Sequence, residues 1–387
     1  MKAEKTRILR IISRMNVGGP AWQASALTIG LNNDEFETRL VCGEVDDGEL
    51  DFLELRKIRV PVIKFSTLGK PLDLRNDWLT FKELRKEIKD FLPHVVHTHT
   101  AKAGFLGRIA ASLEGVPIIV HTFHGHLLQG YFSSFKTFLF RMTERFLARF
   151  STALVSVGER VRNDLVNAKI GRLEQYVVIP PGVNLGSVPD RNQSRKELKL
   201  SSEDPVVLFV GRLTPVKRPD RLINSMGLLL ESLPNALLII AGEGDLSSST
   251  RELAKSLGDS VLFLGWQDDV QRLYAAADLV VLCSDNEGMP VTLIEAASAG
   301  LPAVAIDAGS TGEVVVHQKT GLIVEKSDLA LAEGMKILLE DRDLLKNMSV
   351  AAKSHAEKHF GVEKLIFRYS ELYKSLLLQL NEKNRRV

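Results

Sequence analysis

The chain has 387 residues, of which 45% are hydrophobic and 25% charged, and its formal net charge is +2. Because domains usually hold about 100 to 150 residues, this length predicts two or three domains rather than one. Glycine (28) and proline (14) occur at ordinary levels and no low-complexity tract is present, which excludes collagen-like, mucin-like and disordered classes. We therefore expect a folded globular protein.

The cysteines and the apolar segments indicate where the protein resides. Cys42 and Cys283 lie in apolar, strand-like runs, which predicts buried thiols in a reducing compartment. The longest apolar runs are far shorter than the roughly 18 residues that a membrane span needs. The N-terminal sequence MKAEKTRILRIIS is too polar for a signal peptide. The expected location is the cytoplasm, without a spanning segment or a secretion signal.

The small net charge hides a gradient along the chain. Through Leu185 there are 26 Lys and Arg against 20 Asp and Glu, a net charge of +6, whereas the remainder carries −4. The first half also holds six of the nine histidines. This asymmetry is typical of an anionic ligand or membrane surface near one half, and equally of an uneven scatter of solvated charge.

Short β-branched runs alternate with longer amphipathic stretches along the whole chain, which predicts βα units and two doubly wound, mainly parallel sheets. The strand candidates are RILRIIS, FETRLVCG, RVPVIKF, HVVHTHT, VPIIVHTF, STALVSVG and YVVIP, then VVLFVGR, ALLIIAGEG, VLFLGW, LVVLCS, PAVAID and GLIVE. The Pro- and Gly-rich segment IPPGVNLGSVPDRNQS separates the two sets. We therefore predict domains at residues 1–184 and 185–361, followed by a C-terminal helix at 362–387.

Ligands of open α/β sheets bind at the carboxyl ends of the strands, so chemistry is expected just after each strand. After the first strand, Gly18 and Gly19 precede a helical run. Paired glycines let backbone N–H groups approach an anion beside a helix N-terminus, which favours negative charge. A simple tight turn explains the pair equally well. No Gly-Lys-Ser/Thr follows, so this is not a P-loop.

The loop after the first strand of the second half carries Arg212 and Lys217. A guanidinium and an ammonium five residues apart can converge on a diphosphate. Alternatively, Lys217 and Arg218 are ordinary solvated residues, which is the commoner outcome for an adjacent Lys-Arg pair. The next strand ends in AGEGD, whose third fingerprint position is Ser247 instead of glycine. This motif is weak support for a dinucleotide, and a tight turn near a ligand explains it as well.

The most specific segment runs from Ser284 to Pro302 and contains Glu287 and Glu295. Glu287 ends a post-strand loop, and Pro290 fits the first turn of the helix that carries Glu295. The two carboxylates can bracket an elongated polyhydroxylated ligand, and free N–H groups at the helix start can add an anion or hydroxyl site. Alternatively, Glu287 is a favourable helix-terminal charge and Glu295 a surface residue.

Histidines cluster at two further strand ends, in HTHTAK and HTFHGH. Alternating histidines suggest a metal, but no nearby Cys or paired carboxylate completes a ligand set, so we do not favour a metal site. His124, before Gly125, is better placed as a hydrogen-bonding group at a cleft edge. Ordinary structural roles are the simplest interpretation of the other four, His97, His99, His121 and His126.

The sequence also offers no good candidate for a metal site made of acidic residues. The Asp-x-Asp at Asp341 and Asp343 lies in the helical pattern LLEDRDLLKNM, which predicts a solvated helix face rather than a Mg²⁺ or Mn²⁺ site.

Together these motifs resemble glycosyltransferase family 4, retaining sugar-nucleotide transferases of the GT-B fold. The resemblance runs over nearly the whole chain and includes Gly18-Gly19, HTHTAKAGFLGRIAA, HTFHGH, PPGVN, VGRLTPVKRP, AGEGD, LGWQDDVQRLYAAADLVVLCS and the two spaced glutamates. It implies two Rossmann-like domains facing a central cleft, with the C-terminal helix returning to the first domain.

The resemblance also implies a role for each second-domain residue. Arg212 and Lys217 neutralise the donor diphosphate, Glu295 accepts from the ribose hydroxyls, and Glu287 contacts the transferred sugar. The other donor-binding positions are Gly288, Met289, Pro290 and Val291. The catalytic set comprises Glu287, Arg212, Lys217 and, from the first domain, His124.

In the first domain, the resemblance implies that the Gly18-Gly19 loop closes on the phosphates and that His124 hydrogen-bonds the donor sugar. His99 and Lys102 are candidates for the acceptor side. The family needs no divalent metal and no cofactor, because two cations take the place of Mg²⁺ in stabilising the departing charge.

The expected reaction is retaining transfer from a nucleotide sugar, most commonly a UDP-sugar, to a glycan or polyprenyl-linked acceptor in cell-surface polysaccharide synthesis. No nucleic-acid partner is expected. A sugar-nucleotide epimerase of the same fold and an inactive nucleotide-sugar-binding protein are the alternatives. An NAD oxidoreductase is disfavoured because the glycine fingerprint is incomplete.

The segment Tyr131 to Phe150 is rich in aromatic residues, and Arg141, Arg145 and Arg149 follow at helical spacing. One interpretation is peripheral attachment to an anionic membrane at its inner face. The other is a core-packed helix with a charged outer face.

Overall fold

A computed structural model describes residues 4–46, 50–57, 59–69, 73–125 and 133–385. The chain forms two compact units. The first contains the described residues up to Gly182 together with the C-terminal helix, and the second is Val183–Gly361. The boundary thus lies between Gly182 and Val183, just before the predicted one at residue 184.

The first unit is built on a parallel sheet with the strand order β3-β2-β1-β4-β5-β6-β7. Its strands are β1 (Thr6–Arg14), β2 (Phe36–Gly43), β3 (Val62–Phe65), β4 (Val95–His99), β5 (Ile118–Phe123), β6 (Ala153–Ser156) and β7 (Tyr176–Val178). Its helices are α1 (Gly19–Gly30), α2 (Phe52–Leu55), α3 (Leu74–Phe91), α4 (Ala101–Leu113), α5 (Ser134–Leu147), α6 (Glu159–Asn167) and the C-terminal α15 (Val362–Arg385).

The second unit has a parallel sheet with the order β10-β9-β8-β11-β12-β13. Its strands are β8 (Val206–Val210), β9 (Leu237–Ala241), β10 (Val261–Gly265), β11 (Leu279–Leu282), β12 (Ala303–Ile306) and β13 (Gly321–Val324). Its helices are α7 (Arg191–Glu197), α8 (Pro219–Leu230), α9 (Ser247–Ala254), α10 (Val270–Ala276), α11 (Val291–Ser298), α12 (Thr311–Val314), α13 (Asp328–Glu340) and α14 (Arg342–His359).

The sheets are covered by helices, which is why their central strands read as continuous apolar runs instead of alternating ones. Every residue of β4 and of β11 is buried. Helix α15 packs on the first sheet through Leu365, Tyr369 and Tyr373, which join the same core cluster as Ile8 of β1 and Val95 of β4. The polar ends of these tyrosines need partners inside that core.

The prediction of two doubly wound sheets is confirmed, and each predicted strand run contains an observed strand. In both sheets the strand order reverses beside the first strand, between β1 and β4 and between β8 and β11. Ligands of doubly wound folds bind in the crevice at this reversal, at the carboxyl ends of the strands. Each unit therefore has one crevice that is defined by topology alone. Within the described residues, no helix has the length and apolar character to span a bilayer.

Candidate functional site

The crevice of the second unit brings together two residues of the predicted catalytic set. Lys217 follows β8, Glu287 follows β11, and Lys217 Nζ lies 2.6 Å from Glu287 Oε1. The lysine side chain is 22% exposed and the carboxylate 10% exposed. Because β8 and β11 are neighbours in the sheet, residues far apart in sequence meet as a largely buried ion pair at the strand reversal.

The backbone holds these two loops against each other. The N–H of Asp285 donates to the carbonyl of Val216 at 2.8 Å, and the Cys283 thiol donates to the carbonyl of Lys217 at 3.1 Å. Burial raises the pKa of Cys283 to about 12, so the thiol stays protonated and able to donate. The position of Lys217 is thus set by β11 as well as by its own strand.

Asp285 organises the cations beside this pair. Its carboxylate accepts from Arg221 at 3.0 Å and from Arg218 at 3.2 Å, and Lys326 lies 3.1 Å away. Burial acts to raise the pKa of Asp285, but the hydrogen bonds from Lys326, Arg221 and Arg218 outweigh it and leave the pKa below its ordinary value. Since Asp220 also pairs with Arg218 and Asp328 lies 3.9 Å from Arg221, each of the three cations has a carboxylate beside it.

Arg212 differs from its neighbours because it is exposed and its guanidinium pairs with no carboxylate in the described part of the chain. It lies two residues beyond β8, on the same post-strand loop as Lys217. An unpaired guanidinium at a crevice mouth can bind an incoming anion without first breaking an internal ion pair. Of the two predicted diphosphate ligands, only Arg212 has no carboxylate partner among the described residues.

The glycines of AGEGD serve close packing between loops. Gly242 has a φ of +140°, and a Cβ there would lie 2.0 Å from the carbonyl oxygen of Gly211. The N–H of Leu213 also donates to the carbonyl of Glu243 at 3.1 Å. The motif therefore holds the β9 loop directly against the loop that carries Arg212, as the tight-turn interpretation predicts.

The helix that follows Glu287 begins slightly later than predicted. Pro290 is the N-cap residue of α11, and the helix starts at Val291. The N–H groups of its first turn have no intrahelical acceptors and point out of the helix end. Beneath this turn, Gly309 has a φ of +52°, and a Cβ there would lie 1.8 Å from the Glu287 carbonyl oxygen. The loop after β12 thus supports the backbone at Glu287 and Gly288.

Glu295 is held by a buried tyrosine that sequence reasoning missed. Tyr274 of α10 donates to Glu295 Oε2 at 3.0 Å and is fully buried. Burial and then the Glu295 charge raise the pKa of Tyr274 well above its ordinary value, so the hydroxyl keeps its proton. The sequence motif LGWQDDVQRLYAAADLVVLCS contains Tyr274, but the spacing between residues 274 and 295 does not indicate that the two side chains meet.

In the first unit, Gly18 and Gly19 lie at the strand reversal, where α1 starts with Gly18 as its N-cap. The φ of Gly18 is 162°, an extended conformation open to any residue, and a Cβ there would make only an ordinary 3.8 Å contact with Pro20. Backbone strain therefore does not require glycine at position 18. The absence of a side chain leaves space in front of the helix end.

Thr100, across the same crevice, is conformationally strained. It is the N-cap residue of α4 and has a φ of 66° and a ψ of 161°, a region that L-residues rarely occupy. Its hydroxyl lies 2.7 Å from the Ser13 hydroxyl, and the Ser13 hydroxyl accepts from the N–H of Ala103 at 3.1 Å. These contacts hold the strained end of β4 against the end of β1.

Two of the histidines have the structural roles that their sequence context suggested. His97 Nδ1 lies 2.6 Å from the Tyr373 hydroxyl and its Nε2 lies 2.7 Å from the Thr122 hydroxyl. His121 Nδ1 lies 2.8 Å from the Thr98 hydroxyl. His97 thereby provides a hydrogen-bond partner for the buried hydroxyl of Tyr373 on α15. His126 lies outside the described residues.

The two acceptor-side candidates, His99 and Lys102, both have partners within the first unit. His99 is fully buried, and its Nδ1 lies 2.9 Å from Nε2 of the half-buried His124. Lys102 is only 13% exposed, and its Nζ lies 2.6 Å from a carboxylate oxygen of Asp77 on α3. The assignment of these two residues to the acceptor side stays a prediction.

No group of three or more His, Cys, Asp or Glu side chains within residues 4–46, 50–57, 59–69, 73–125 and 133–385 is arranged to hold a metal ion. The Asp-x-Asp has a structural role there. Asp341 is the N-cap residue of α14 and accepts from the N–H of Leu344 at 2.9 Å. Asp341 and Asp343 are both exposed, as the prediction of a solvated helix face requires, and the capping carboxylate additionally stabilises the helix start.

Helix α5 presents a second candidate surface. One side is anchored to α4, where Arg108 donates to Glu144 at 2.6 Å with both side chains almost unexposed. The opposite side exposes large apolar side chains at helical spacing, Phe135, Phe138, Leu139, Met142 and Phe146.

The predicted basic stripe is only partly present on this helix. Helix α5 ends at Leu147, so Arg149 lies beyond it. Arg145 donates to the carbonyl of Ala168 at 2.9 Å, and Arg141 lies over the Phe138 ring. Tyr131 and Phe132 lie outside the described residues. The exposed face of α5 therefore consists mainly of apolar side chains, and its arginines do not form a continuous basic stripe.

Two family models match the chain, one to each half. Residues 17–187 match the model described as Glycosyltransferase Family 4, and residues 190–355 match the model described as Glycosyl transferases group 1. The two matches meet near the boundary between the structural units.

Curated relatives and solved structures agree with these matches. An Escherichia coli UDP-Gal:alpha-D-GlcNAc-diphosphoundecaprenol alpha-1,3-galactosyltransferase is 29% identical over 89% of this chain and 90% of its own length. A D-inositol 3-phosphate glycosyltransferase of Salinispora arenicola is 31% identical over 72% and 68%. Anabaena HepE, solved with UDP and glucose, has a TM-score of 0.81 at 23% identity and covers 96% of this chain and 100% of its own. The chain therefore belongs to glycosyltransferase family 4 and is a glycosyltransferase of the GT-B fold.

Proposed function

We propose that this glycosyltransferase moves a sugar from a UDP-sugar to a hydroxyl of a lipid-linked or glycan acceptor, with retention of anomeric configuration and without a divalent metal. The observation that carries the proposal is the crevice of the second unit, where the unpaired Arg212 shares a loop with the Lys217–Glu287 ion pair. Cations at this position oppose the charge that develops on a departing diphosphate.

Within this proposal, each side chain has one task. Arg212 binds the diphosphate through its planar guanidinium, and Lys217 adds a point charge at the leaving oxygen. Glu287 contacts the transferred sugar and holds Lys217 in place. Glu295, oriented by Tyr274, accepts from the ribose hydroxyls. The Gly18-Gly19 loop and His124 act from the first unit on the phosphates and on the sugar.

The proposed reaction occurs on one face of the sugar. The bond between the anomeric carbon and the diphosphate oxygen breaks, and its electron pair goes to that oxygen. The acceptor oxygen then bonds to the anomeric carbon from the same face, and the acceptor proton passes to the departing phosphate. The products are a retained glycoside and a nucleoside diphosphate. No protein nucleophile is needed, and the two cations take the charge-stabilising role of a metal.

The choice of UDP and of the acceptor class is supported by relatives. The E. coli relative, which this chain matches over most of its length, is named for UDP-Gal and for a diphosphoundecaprenol-linked acceptor. Another relative, from Staphylococcus aureus, is named as a capsular polysaccharide biosynthesis glycosyltransferase. We therefore propose a polyprenyl-diphosphate-linked sugar as the first acceptor to test.

The test is a donor screen on the full chain with UDP-, GDP- and ADP-sugars, with and without GlcNAc-diphosphoundecaprenol. We expect nucleoside diphosphate to be released from a UDP-sugar in an acceptor-dependent manner. The glycoside should keep the donor's α configuration by NMR, and EDTA should leave the rate unchanged. A change of the sugar without acceptor would instead identify an epimerase, and binding without any turnover an inactive binder.

Arg212→Ala should raise the dissociation constant for UDP by about ten- to a hundredfold, because a charge-assisted hydrogen bond contributes about 1.5–3 kcal/mol. Calorimetry measures this directly. Arg342→Ala, which removes an exposed arginine from the start of α14 in the same unit, is the matched control and should leave UDP affinity unchanged. Equal affinities of the two variants would contradict the assignment of Arg212.

We also propose that the exposed face of α5 attaches the protein peripherally to an anionic membrane. Five large apolar side chains lie on this face and are 45–70% exposed, so transfer of each into an apolar phase is favourable by about 1–2 kcal/mol. Lys136 and Arg141 on the same helix supply positive charge for acidic headgroups. A lipid-linked acceptor would then be met at the membrane surface.

Flotation with vesicles tests this attachment. The wild-type protein should float with vesicles of 70% phosphatidylcholine and 30% phosphatidylglycerol, and Phe135→Ser/Leu139→Ser should float at least about fivefold less. Val350→Ser, at an apolar residue that is 68% exposed on α14, serves as the control and should float like wild type. Flotation that is independent of anionic lipid, or identical for all three proteins, would remove the proposal.

A further inference from the structure

His99 and His124 form a contact at the carboxyl ends of two adjacent strands. His99 is the last residue of β4, and His124 follows the last residue of β5. His99 Nδ1 lies 2.9 Å from His124 Nε2, within hydrogen-bond distance, and the ring centroids are 5.1 Å apart. His124 Nδ1 makes no hydrogen bond to the described part of the chain. The contact therefore uses one nitrogen of each ring.

Both rings are neutral at neutral pH. Burial lowers the pKa of His124 to about 4, and burial together with the neighbouring His97 lowers the pKa of His99 well below its ordinary value. Two neutral imidazoles carry one N–H each, and a hydrogen bond between them needs one donor and one acceptor. Only two proton arrangements satisfy these conditions.

In the first arrangement His99 carries its proton on Nδ1 and donates to His124 Nε2, which leaves the His124 proton on Nδ1. In the second, His124 Nε2 carries the proton and donates to His99 Nδ1, so the His99 proton must lie on Nε2. The surroundings of His99 Nε2 therefore distinguish the two.

His99 Nε2 is buried and has no hydrogen-bond partner among the described residues. The second arrangement would place an orphaned N–H there, and buried N–H groups without an acceptor are among the rarest defects in folded proteins. Arg10 adds an electrostatic reason. It is fully buried on the same sheet face, beside Tyr373 and His97, and it forms no ion pair within the described residues. A cation on this side of the ring favours a lone pair at His99 Nε2 over an N–H there.

We infer that His99 is a positioning residue: it holds His124 in the tautomer whose proton lies on Nδ1, so that His124 acts as a hydrogen-bond donor to the sugar. The inference rests on the proposed function in one respect, the contact between His124 and the donor sugar. A neutral donor at this point binds a sugar oxygen without adding a cation beside the anomeric carbon. Without His99, the imidazole of His124 can exchange its tautomer and turn its lone pair toward the sugar.

The first test needs no turnover, and its main readout uses the wild-type protein. ¹⁵N-resolved NMR of the histidine side chains distinguishes the two neutral tautomers, and in the wild-type protein we expect the His124 proton on Nδ1. His99→Leu should shift the His124 population toward the Nε2-protonated form. A wild-type spectrum with the proton on Nε2 would overturn the inference whatever the activity of the protein.

The second test is kinetic. His99→Leu should lower kcat/KM for sugar transfer by about ten- to a hundredfold, by analogy with the loss of a residue that orients a metal-binding histidine. His99→Asn should retain most of the wild-type kcat/KM, because the asparagine amide N–H occupies the place of the His99 Nδ1–H.

A double-mutant cycle separates positioning from folding. In a His124→Phe background, His99→Leu should cause no further loss, since its effect acts through the absent ring. An equal loss in both backgrounds would mean a merely structural role and overturn the inference. Full activity of His124→Phe, with the expected tautomer in the wild-type spectrum, would instead contradict only the proposed sugar contact of His124.

Discussion

Replacement of Lys217 by alanine should reduce kcat/KM for sugar transfer by about two to three orders of magnitude, the loss that follows removal of one preorganised group facing a developing anion. The variant loses the point charge on the departing diphosphate. It also leaves the Glu287 carboxylate, which is only 10% exposed, without its counter-ion. A diphosphate entering the crevice then meets an uncompensated negative charge.

Steady-state kinetics with the best donor measure this loss of kcat/KM. The double variant Lys217→Ala/Glu287→Gln separates the lost positive charge from repulsion by the unpaired Glu287 carboxylate. If repulsion by Glu287 contributes, the double variant should bind UDP more tightly than Lys217→Ala alone. Lys336→Ala removes a lysine from a surface ion pair with Glu340 on α13 and serves as the control. Retention of activity within twofold by Lys217→Ala would refute the assignment of Lys217 to the leaving group.

The second large effect concerns stability rather than catalysis. Arg195 of α7 is 3% exposed, and its guanidinium donates to Asp278 at 2.9 Å and to the carbonyl of Ala276 at 2.9 Å. It also donates to the carbonyls that precede β8, at Ser201, Ser202 and Asp204. Arg195→Ala should lower the free energy of unfolding of the second unit by about 3 kcal/mol, because several carbonyls lose this donor, while Asp278 keeps only Arg191 and the N–H of Val206.

Hydrogen exchange followed by mass spectrometry measures this loss in each unit separately. Amides of β8 and β11 should exchange much faster in Arg195→Ala, while those of β1 and β4 keep their wild-type rates. Arg191 is the matched control, since it binds the same Asp278 at 2.6 Å but is 40% exposed. Arg191→Ala should cost about 1 kcal/mol or less. Equal effects of the two substitutions would show that burial of Arg195 is not what stabilises this region.

Much of the site was predictable because its chemistry lies close to the strands that place it. The strand runs, the loop with Arg212 and Lys217, and the segment with Glu287 and Glu295 are all recognisable in the chain. Parallel βα units bring their loops to one sheet edge whatever their detailed packing. That Lys217 and Glu287 meet follows from β8 and β11 being neighbours, which the doubly wound order requires.

The roles that sequence reasoning missed depend on side-chain partners from other elements. The motifs contain His99 and His124, but only the fold shows that their two rings lie within hydrogen-bond distance of each other. Tyr274 lies in a recognisable motif, but only the packing of α10 beside α11 brings its hydroxyl to Glu295. The burial of a side chain and the tautomer of a histidine depend on the side chains packed against it, and these come from elements that are distant in sequence.

By itself, the sequence determined the class of the fold, the chemistry of the family and the loops in which that chemistry lies, because alternating hydrophobic runs and short motifs are local properties. Only the tertiary structure decided which charges are paired: Lys217 lies against Glu287, whereas the Arg212 guanidinium pairs with no carboxylate among the described residues. It also decided that the charge gradient first seen as a basic half does not form a basic stripe on α5, whose exposed face is apolar. The physical reason is that desolvation and hydrogen bonding act between side chains brought together by packing, and these are pairs that no spacing along the chain encodes.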